Sequence, residues 1–160
     1  MERTALTPEG REKILKEIKY RKEELRHKII KDIKEARAHG DLSENSEYED
    51  ARERQALNEG LIQNLEAQIA TGTVIDIQKK KPKEGDDRKI LFGCTVVLYE
   101  GDTRFQWKIV GIHEADLKKN KISYKSPIGK TLIGKFEGET VEVHTPAKIR
   151  TFEIDEVIYR

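Results

Sequence analysis

The spacing of apolar residues changes near residue 72, and this change limits the possible folds more than any other pattern in the chain. Upstream, apolar residues recur every three or four positions, which is the period of an amphipathic helix. Downstream, apolar and polar residues alternate, which is the period of a strand with one buried face. The two periods in separate blocks predict an α+β protein with helices first and a sheet domain second.

The upstream block predicts two long helices. The first covers residues 8–39, with Thr7 as its cap, Pro8 in its first turn and Gly40 as a left-handed stop. The second covers residues 45–70 and keeps an unbroken three-four alternation. The predicted seam positions are Leu15, Ile18, Leu25, Ile29 and Ala36 in the first helix, and Tyr48, Ala51, Gln55, Asn58, Ile62, Leu65 and Ile69 in the second. Because the connection is short, we expect an antiparallel coiled-coil hairpin.

The length of this hairpin indicates two domains, residues 1–72 and residues 73–160. A helix of about 30 residues, at roughly 1.5 Å per residue, is about 45 Å long. The remaining chain, about 85 residues, folds into a domain only about 25 Å across. We therefore expect the hairpin to project as a finger with an acidic tip at residues 41–47.

The downstream block predicts a compact α+β domain of five or six strands and one short helix. The predicted strands lie within residues 73–78, 94–100, 104–112, 121–125, 139–145 and 150–159. A charged loop covers residues 79–89, and Gly101 with Asp102 forms a hairpin turn. The short helix follows Ser126 as its cap and has Pro127 in its first turn.

Composition excludes several classes of protein. The net charge of the 160 residues is +1, so bulk polycationic binding of nucleic acid is not the main activity. The single cysteine, Cys94, excludes an internal disulfide and a cysteine metal cluster, and its strand context predicts a small buried hydrophobe. The sequence shows neither an apolar leader nor a membrane-length apolar stretch, so we expect a cytoplasmic protein with no membrane partner.

The stretch HGDLSENSEYEDARERQ, which connects the two helices and begins the second, concentrates acid after a glycine. Between residues 41 and 50 it has five carboxylates and no basic residue: Asp41, Glu44, Glu47, Glu49 and Asp50. Capping a helix needs one or two of them, and Asp50 can pair with Arg54. Oxygen ligands of this kind suit Mg²⁺, but two carboxylates alone make a poor site, so a second macromolecule would have to complete it. Capping and metal binding both remain open on these residues alone.

The stretch EARAHGDLSENSEYEDARERQ resembles the tip of the bacterial GreA/GreB transcript-cleavage factors. LTPEGREKI, ILFGCTVVL, IVGIHEAD, ISYKSPIGKTLIGK and GETVEVHTP resemble the same family, in the same order. The resemblance covers essentially the whole chain. It implies a coiled-coil finger followed by a small FKBP-like α+β domain that docks on the polymerase.

The resemblance also implies a function. A protein of this family binds bacterial RNA polymerase, docks on the rim of its secondary channel and inserts the coiled coil through it. It then stimulates the polymerase's own cleavage of backtracked RNA. By motif match, Asp41 and Glu44 are the tip acids that help to hold a Mg²⁺ ion shared with the polymerase active site. We expect a monomer that is not itself an enzyme and binds no cofactor alone.

Four further residues near the tip have predicted roles. The resemblance matches Arg37 and Arg52 to a basic patch that contacts the RNA 3′ end, whereas the alternative is ordinary helix-surface arginine. Tyr48 is expected to pack and close the tip, and Asn45 to brace the turn. The basic cluster is small, which resembles the GreA branch more than GreB.

Two rival functions remain. A homologue of this family could occupy the channel and inhibit the polymerase without stimulating cleavage. The C-terminal domain could instead be a prolyl isomerase or chaperone, which needs aromatic residues around a groove. Trp107, Phe105 and Phe92 lie in strand alternation and are expected in the core, which argues against that activity.

Overall fold

The computed structural model of the chain describes residues 4–39 and 46–160. Their contacts divide the chain into two units. The helical unit contains Arg11–Gly72. The sheet unit joins Thr73–Arg160 to the first described residues, through Gly10. An α+β chain with a helical region first and a sheet domain second is confirmed.

The first predicted helix is interrupted. It consists of α1 (Pro8–Tyr20), a π-helical turn (Arg21–Leu25) and α2 (Arg26–Ala38). In the wide turn the Arg26 N–H donates to the carbonyl of Arg21, five residues back, rather than four. The prediction of one regular helix over residues 8–39 was therefore wrong in this turn.

The second predicted helix is α3 (Ser46–Thr71), and it packs antiparallel to α2. Cross-helix ion pairs join Arg26 to Glu59 at 2.7 Å and Asp32 to Arg54 at 3.0 Å, and Lys22 pairs with Glu66. Residue numbers rise on one helix as they fall on the other, as an antiparallel hairpin requires. The predicted hairpin is confirmed.

The apolar seam differs in detail from the predicted one. Next to the helix ends, Ile29, Ile33 and Ala51 form a buried cluster, with Leu25 and Tyr48 packed against it. Ile14 is buried, whereas the predicted Leu15 is 38% exposed. The π-helical turn contains an extra residue, so the seam upstream of it moves by one position. On α3, Gln68 is buried where Ile69 was predicted.

The sheet unit contains a five-stranded sheet. Its strands are β3 (Thr95–Glu100), β4 (Thr103–Val110), β5 (Lys121–Ser123), β6 (Thr140–His144) and β7 (Ile149–Ile158), in the spatial order β5-β4-β3-β7-β6. Only the β4–β5 pair in this sheet is parallel. The tight β3–β4 turn has Gly101 at φ +60°, which confirms the predicted turn. Cys94 and the inward residues of the strands form one core.

The predicted short helix is α4 (Pro127–Leu132), and the Gly129 N–H donates to the Ser126 hydroxyl at 3.1 Å. The predicted strand over 73–78 was wrong beyond residue 74. There β2 (Gly72–Val74) pairs with β1 (Thr4–Leu6), and Ile77–Lys80 is a 3₁₀ helix. The Asp76 carboxylate accepts from the Gln78 N–H at 3.1 Å, a local bond that replaces strand pairing.

A buried polar group ties the first described residues to the sheet unit. The Thr7 hydroxyl accepts from the Gly10 N–H at 3.0 Å, which confirms the predicted helix cap. The same hydroxyl donates to the carboxylate of Glu114, which also accepts the Thr7 and Gly111 N–H groups at 3.3 and 3.2 Å. Residues 4–10 thus belong to the sheet unit, whereas the predicted division placed all of residues 1–72 in the finger.

In the part of the chain that the structure describes, no helix is both long and apolar enough to cross a membrane.

Candidate functional site

The candidate site lies where α2 ends and α3 begins. The predicted tip residues Asp41, Glu44 and Asn45 lie outside the described residues. The structure does describe the two helix ends that flank them. These ends carry Arg37 in the last turn of α2 and Tyr48 in the first turn of α3.

Arg37 and Tyr48 contact each other across the hairpin. The Arg37 guanidinium carbon lies 5.7 Å from the centre of the Tyr48 ring. A hydrogen bond from Arg37 lowers the pKa of the Tyr48 phenol, and the charges of Arg37 and Arg52 act in the same direction. The two predicted basic residues therefore lie around one phenol, and both side chains are exposed. Tyr48 itself is half-buried against the apolar cluster at this end.

Two of the acids beside the tip already have partners. The Glu47 carboxylate lies 3.7 Å from His39 Nδ1, and both side chains are well exposed. Asp50 bonds to Arg54 at 3.1 Å, as the four-residue spacing predicts, and Arg54 also bonds to Asp32. These bonds raise the pKa of Arg54, with the Asp32 hydrogen bond as the largest cause.

The His39–Glu47 pair is a contact that sequence reasoning missed. Ion pairs within one helix join residues three or four positions apart, whereas His39 is eight residues from Glu47. The signal was present in the antiparallel arrangement, because the residues that end α2 face those that begin α3. Glu47 is thus less isolated than the local sequence indicated.

A cleft of about 420 Å³ lies between these helix ends. It is lined by Asp32, Glu35, Ala36, Ala38, His39, Glu47, Asp50 and Arg54. Within residues 4–39 and 46–160, no group of three or more His, Cys, Asp and Glu side chains is arranged to hold a metal ion. The flanking residues therefore supply charge around the tip but no complete coordination shell.

The sheet unit carries a second concave surface, the apolar groove. It has a volume of about 450 Å³ and is lined by Ala115, Asp116, Leu117, Lys121, Ile122, Ser123, Ser126, Pro127, Ile128, Thr145 and Pro146. Leu117 is 75% exposed, which is unusual for a large apolar side chain. Lys118, Lys119 and Lys130 are exposed close to these residues in the chain. The groove thus combines an apolar lining with nearby positive charge.

The aromatic residues that were predicted to lie in the core do not line this groove. Trp107 and Phe152 are buried, with ring centres 5.8 Å apart, and Phe105 stacks on Trp107 at 4.8 Å. Phe92 is buried in the same core. The apolar groove has no aromatic lining residue. These positions match the expectation that the aromatics belong to the core, and they give no support to a prolyl isomerase pocket.

Comparison with known proteins identifies both halves of the chain. Residues 4–74 match the family model "Transcription elongation factor, N-terminal". Residues 83–159 match the model "Transcription elongation factor, GreA/GreB, C-term". The matches together cover both units of the structure.

Curated relatives extend this result. The chain is 48% identical over 156 residues to the transcription elongation factor GreA of Brucella canis, covering 96% of each chain, and the GreA of Brucella suis gives the same values. A crystal structure of the GreA factor homolog 1 protein of Thermus thermophilus is 25% identical, covers 98% of this chain and 99% of its own, and superposes with a TM-score of 0.43. Given the two family models and the relatives at 48% identity, this chain belongs to the GreA/GreB family of transcription elongation factors.

Proposed function

We propose that this elongation factor, which acts on RNA polymerase, stimulates the polymerase's own cleavage of backtracked RNA through Asp41 and Glu44. The observation that carries the proposal is the position of these acids in the chain. They lie between two helices held antiparallel by ion pairs; the neighbouring Asp50 is paired with Arg54, and Glu47 lies 3.7 Å from His39. Asp41 and Glu44 are also the acids on which the family motif falls.

The chemistry of these donors fits a hard cation. Mg²⁺ prefers oxygen ligands and often binds through one or two carboxylates, with water and phosphate oxygens at its other positions. Asp41 and Glu44 would hold the ion together with groups of the polymerase. When bound, the ion lowers the pKa of its water and stabilises negative charge on the phosphate. In this scheme the polymerase cleaves the RNA, and the chain donates metal ligands rather than acting as an enzyme itself.

Other residues at the helix ends position the RNA. Arg37 and Arg52 are exposed cations near Tyr48, and both can donate hydrogen bonds to a phosphate of the displaced RNA 3′ end. Tyr48 packs on the apolar cluster and holds Arg37 at the end of α2. Asn45 braces the turn between the helices. Each of these roles is separate from ligand donation.

The hairpin reaches the active centre through the secondary channel. The 26 residues of α3 give a rod of roughly 39 Å at ~1.5 Å per residue. Its surface is rich in charge and its apolar seam is narrow, which suits a water-filled passage. One monomer supplies one hairpin, and the residue 72/73 division separates the part that enters from the part that docks.

The apolar groove of the sheet unit docks on the rim of the channel. A groove with an exposed Leu117 and nearby lysines fits an apolar polymerase surface bordered by acidic groups. Leu117→Asp should weaken polymerase binding at least about tenfold, since a charge would enter the apolar contact. Ile149→Asp is the matched control, because Ile149 is 58% exposed and is not among the groove residues. If Leu117→Asp and Ile149→Asp bind polymerase with the same affinity, the groove is not the docking surface.

The direct test of cleavage uses a stalled, backtracked elongation complex with Mg²⁺, with and without the protein. Shortened transcripts that resume extension are the expected result. Unchanged RNA with slower nucleotide addition would show the rival activity, a channel-binding inhibitor. Raising the factor concentration to saturation separates weak docking from absent cleavage.

A further inference from the structure

A buried amide joins α3 to the π-helical turn. Asn58 is only 3% exposed. Its side-chain Nδ2 donates to the backbone carbonyl of Arg21 at 3.2 Å, and its Oδ1 accepts from Arg21 Nη1 at 3.1 Å. Both ends of the amide are therefore used, and both bonds go to one residue of the opposite helix.

Arg21 is itself held in place. Its Nε and Nη2 donate to Glu17 Oε1 at 3.1 and 3.0 Å, one turn earlier on α1. The Arg21 side chain is 20% exposed, so water competes little for the guanidinium. Glu17, Arg21 and Asn58 form a continuous polar chain from one helix to the other.

The backbone bond gives this contact its selectivity. The Arg21 carbonyl belongs to the wide turn and also accepts the Arg26 N–H. Neighbouring turns of α1 and α2 are α-helical, so they do not present a carbonyl in the same arrangement. If α3 moved by one turn, Asn58 would lose both partners while buried, which is costly for an amide.

The other contacts of the hairpin specify register less well. Apolar seams repeat at regular spacing, and a buried polar residue is the usual means of fixing their register. The Arg26–Glu59 and Lys22–Glu66 pairs use long, partly exposed side chains that can follow a small displacement. Gln68 is also buried, but its Nε2 donates to Asn64 on the same helix.

We propose that Asn58 and Arg21 are positioning residues whose contact at the π-helical turn fixes the register of α2 against α3. The register sets the position of the end of α2 relative to the start of α3. It therefore also affects where the carboxylates between the two helices lie in the polymerase active site. The register claim concerns the helical unit alone. Its consequence for cleavage rests on the proposed function.

The first test measures the register directly. Spin labels are attached to Lys28→Cys and Glu49→Cys in a Cys94→Ala background. Both sites are exposed, and they lie at different positions along the hairpin axis. Double electron–electron resonance should give one distance for the parent. Asn58→Leu should add a second distance displaced by up to about 5 Å, one helical turn. Gln68→Leu, which removes a buried amide bonded within its own helix, should keep the parent distance.

The second test separates positioning from stability. A leucine suits an apolar seam, and Arg21 keeps its bonds to Glu17 and to the Arg26 N–H, so Asn58→Leu should stay folded and melt close to the parent temperature. At saturating factor its cleavage rate should fall at least about threefold, while its affinity for polymerase stays unchanged. Gln68→Leu should cleave like the parent. If Asn58→Leu does not fold, Asn58→Ala is measured instead, since it removes both bonds to Arg21 and introduces no charge.

The outcomes distinguish the two proposals. A parent protein that never stimulates cleavage overturns the proposed function, and the distance measurement still decides the register claim. A folded Asn58 variant with the single parent distance overturns the register claim, whatever the parent does with RNA. The register claim would also be overturned if Gln68→Leu gave the same second distance as Asn58→Leu. Loss of any buried amide would then be enough to change the register.

Discussion

The sheet unit and the helical unit bury very different kinds of surface. In the sheet unit, one continuous apolar core joins the strands to α4, and Phe152, Leu98 and Leu132 within it are fully buried. In the helical unit, the buried cluster near the helix ends contains, among the described residues, Ile29, Ile33 and Ala51. Ile14, Ala36, Ile62 and Leu65 are also buried in this unit, and charged and amide side chains join the two helices as well.

This difference separates stability from placement. Apolar burial is the main source of folding free energy but has little directional preference. Hydrogen bonds and ion pairs contribute less, yet they depend strongly on which residues face each other. The apolar core can therefore account for most of the stability of the sheet unit, while the buried Asn58–Arg21 contact is the one that we propose fixes the register of the hairpin.

The largest expected effect is a loss of core volume in the sheet unit. Phe152→Ala should lower the free energy of unfolding by about 3–5 kcal/mol, because Phe152 is fully buried and the cavity cannot close completely. Urea unfolding followed by Trp107 fluorescence reports on this unit, since the two rings are 5.8 Å apart. A loss below about 1 kcal/mol would mean that this core does not dominate stability.

A smaller effect is expected where α1 begins. Thr7→Ala removes the cap of the Gly10 N–H and one partner of the buried Glu114 carboxylate, and should cost about 1–3 kcal/mol. The control is Thr131→Ala, because the Thr131 hydroxyl bonds to the Pro127 carbonyl at an exposed site. Thermal unfolding of both variants gives the comparison. Equal melting temperatures would show that the Thr7–Glu114 contact adds little.

The smallest effect concerns an ion pair of the sheet. Two hydrogen bonds from Arg150, at 2.8 and 2.9 Å, hold the pKa of the Glu100 carboxyl below its usual value. A carboxyl with a lower pKa in the folded state stabilises at neutral pH, and this contribution is lost as pH falls through the folded pKa. Glu100→Gln should therefore be less stable than the parent at pH 7, and the difference should shrink towards pH 3.

Urea midpoints across this pH range, with the exposed Glu142→Gln as control, provide the measurement. The Glu59 carboxyl in the hairpin has its pKa lowered by Arg26 in the same manner. Glu59→Gln should follow the same direction. A difference between Glu100→Gln and the parent that grows as the pH is lowered would contradict the assigned direction.

Sequence patterns predicted the features that depend on neighbours in the chain. The period change gave the α+β class, and the Ser126 and Thr7 caps follow from bonds within three residues. The Thr7–Glu114 and Arg21–Asn58 contacts were not predicted, because each joins residues far apart in sequence, and no residue pattern indicated the π-helical turn. Glu114 is 107 residues from Thr7, and Asn58 is 37 from Arg21.

For the candidate site, the sequence identified the acidic residues but not the contacts between the two helix ends. The motif identified Asp41 and Glu44, but neither lies in the described residues, so their roles remain predictions. The structure places the Arg37 guanidinium carbon 5.7 Å from the centre of the Tyr48 ring, a contact between the two helices that spacing within either helix did not indicate. It also supplies the His39–Glu47 pair, which depends on the antiparallel arrangement rather than on local spacing.

The central claim is that Asp41 and Glu44 act as ligand donors rather than as caps or as general negative charge. Asp41→Asn keeps a good capping residue, and Glu44→Gln has a similar helix propensity, so stability should change by less than about 1 kcal/mol. The matched control is Glu49→Gln, which removes one charge from an exposed acid in the first turn of α3.

The decisive measurement is the cleavage rate of a backtracked complex at saturating factor for these three variants. We expect Asp41→Asn and Glu44→Gln each to lose at least about tenfold, with partial recovery at raised Mg²⁺, because neutral amides bind this ion less well. Glu49→Gln should keep the parent rate, and all three should still bind polymerase. Parent rates for Asp41→Asn and Glu44→Gln, or an equal loss for Glu49→Gln, would contradict ligand donation.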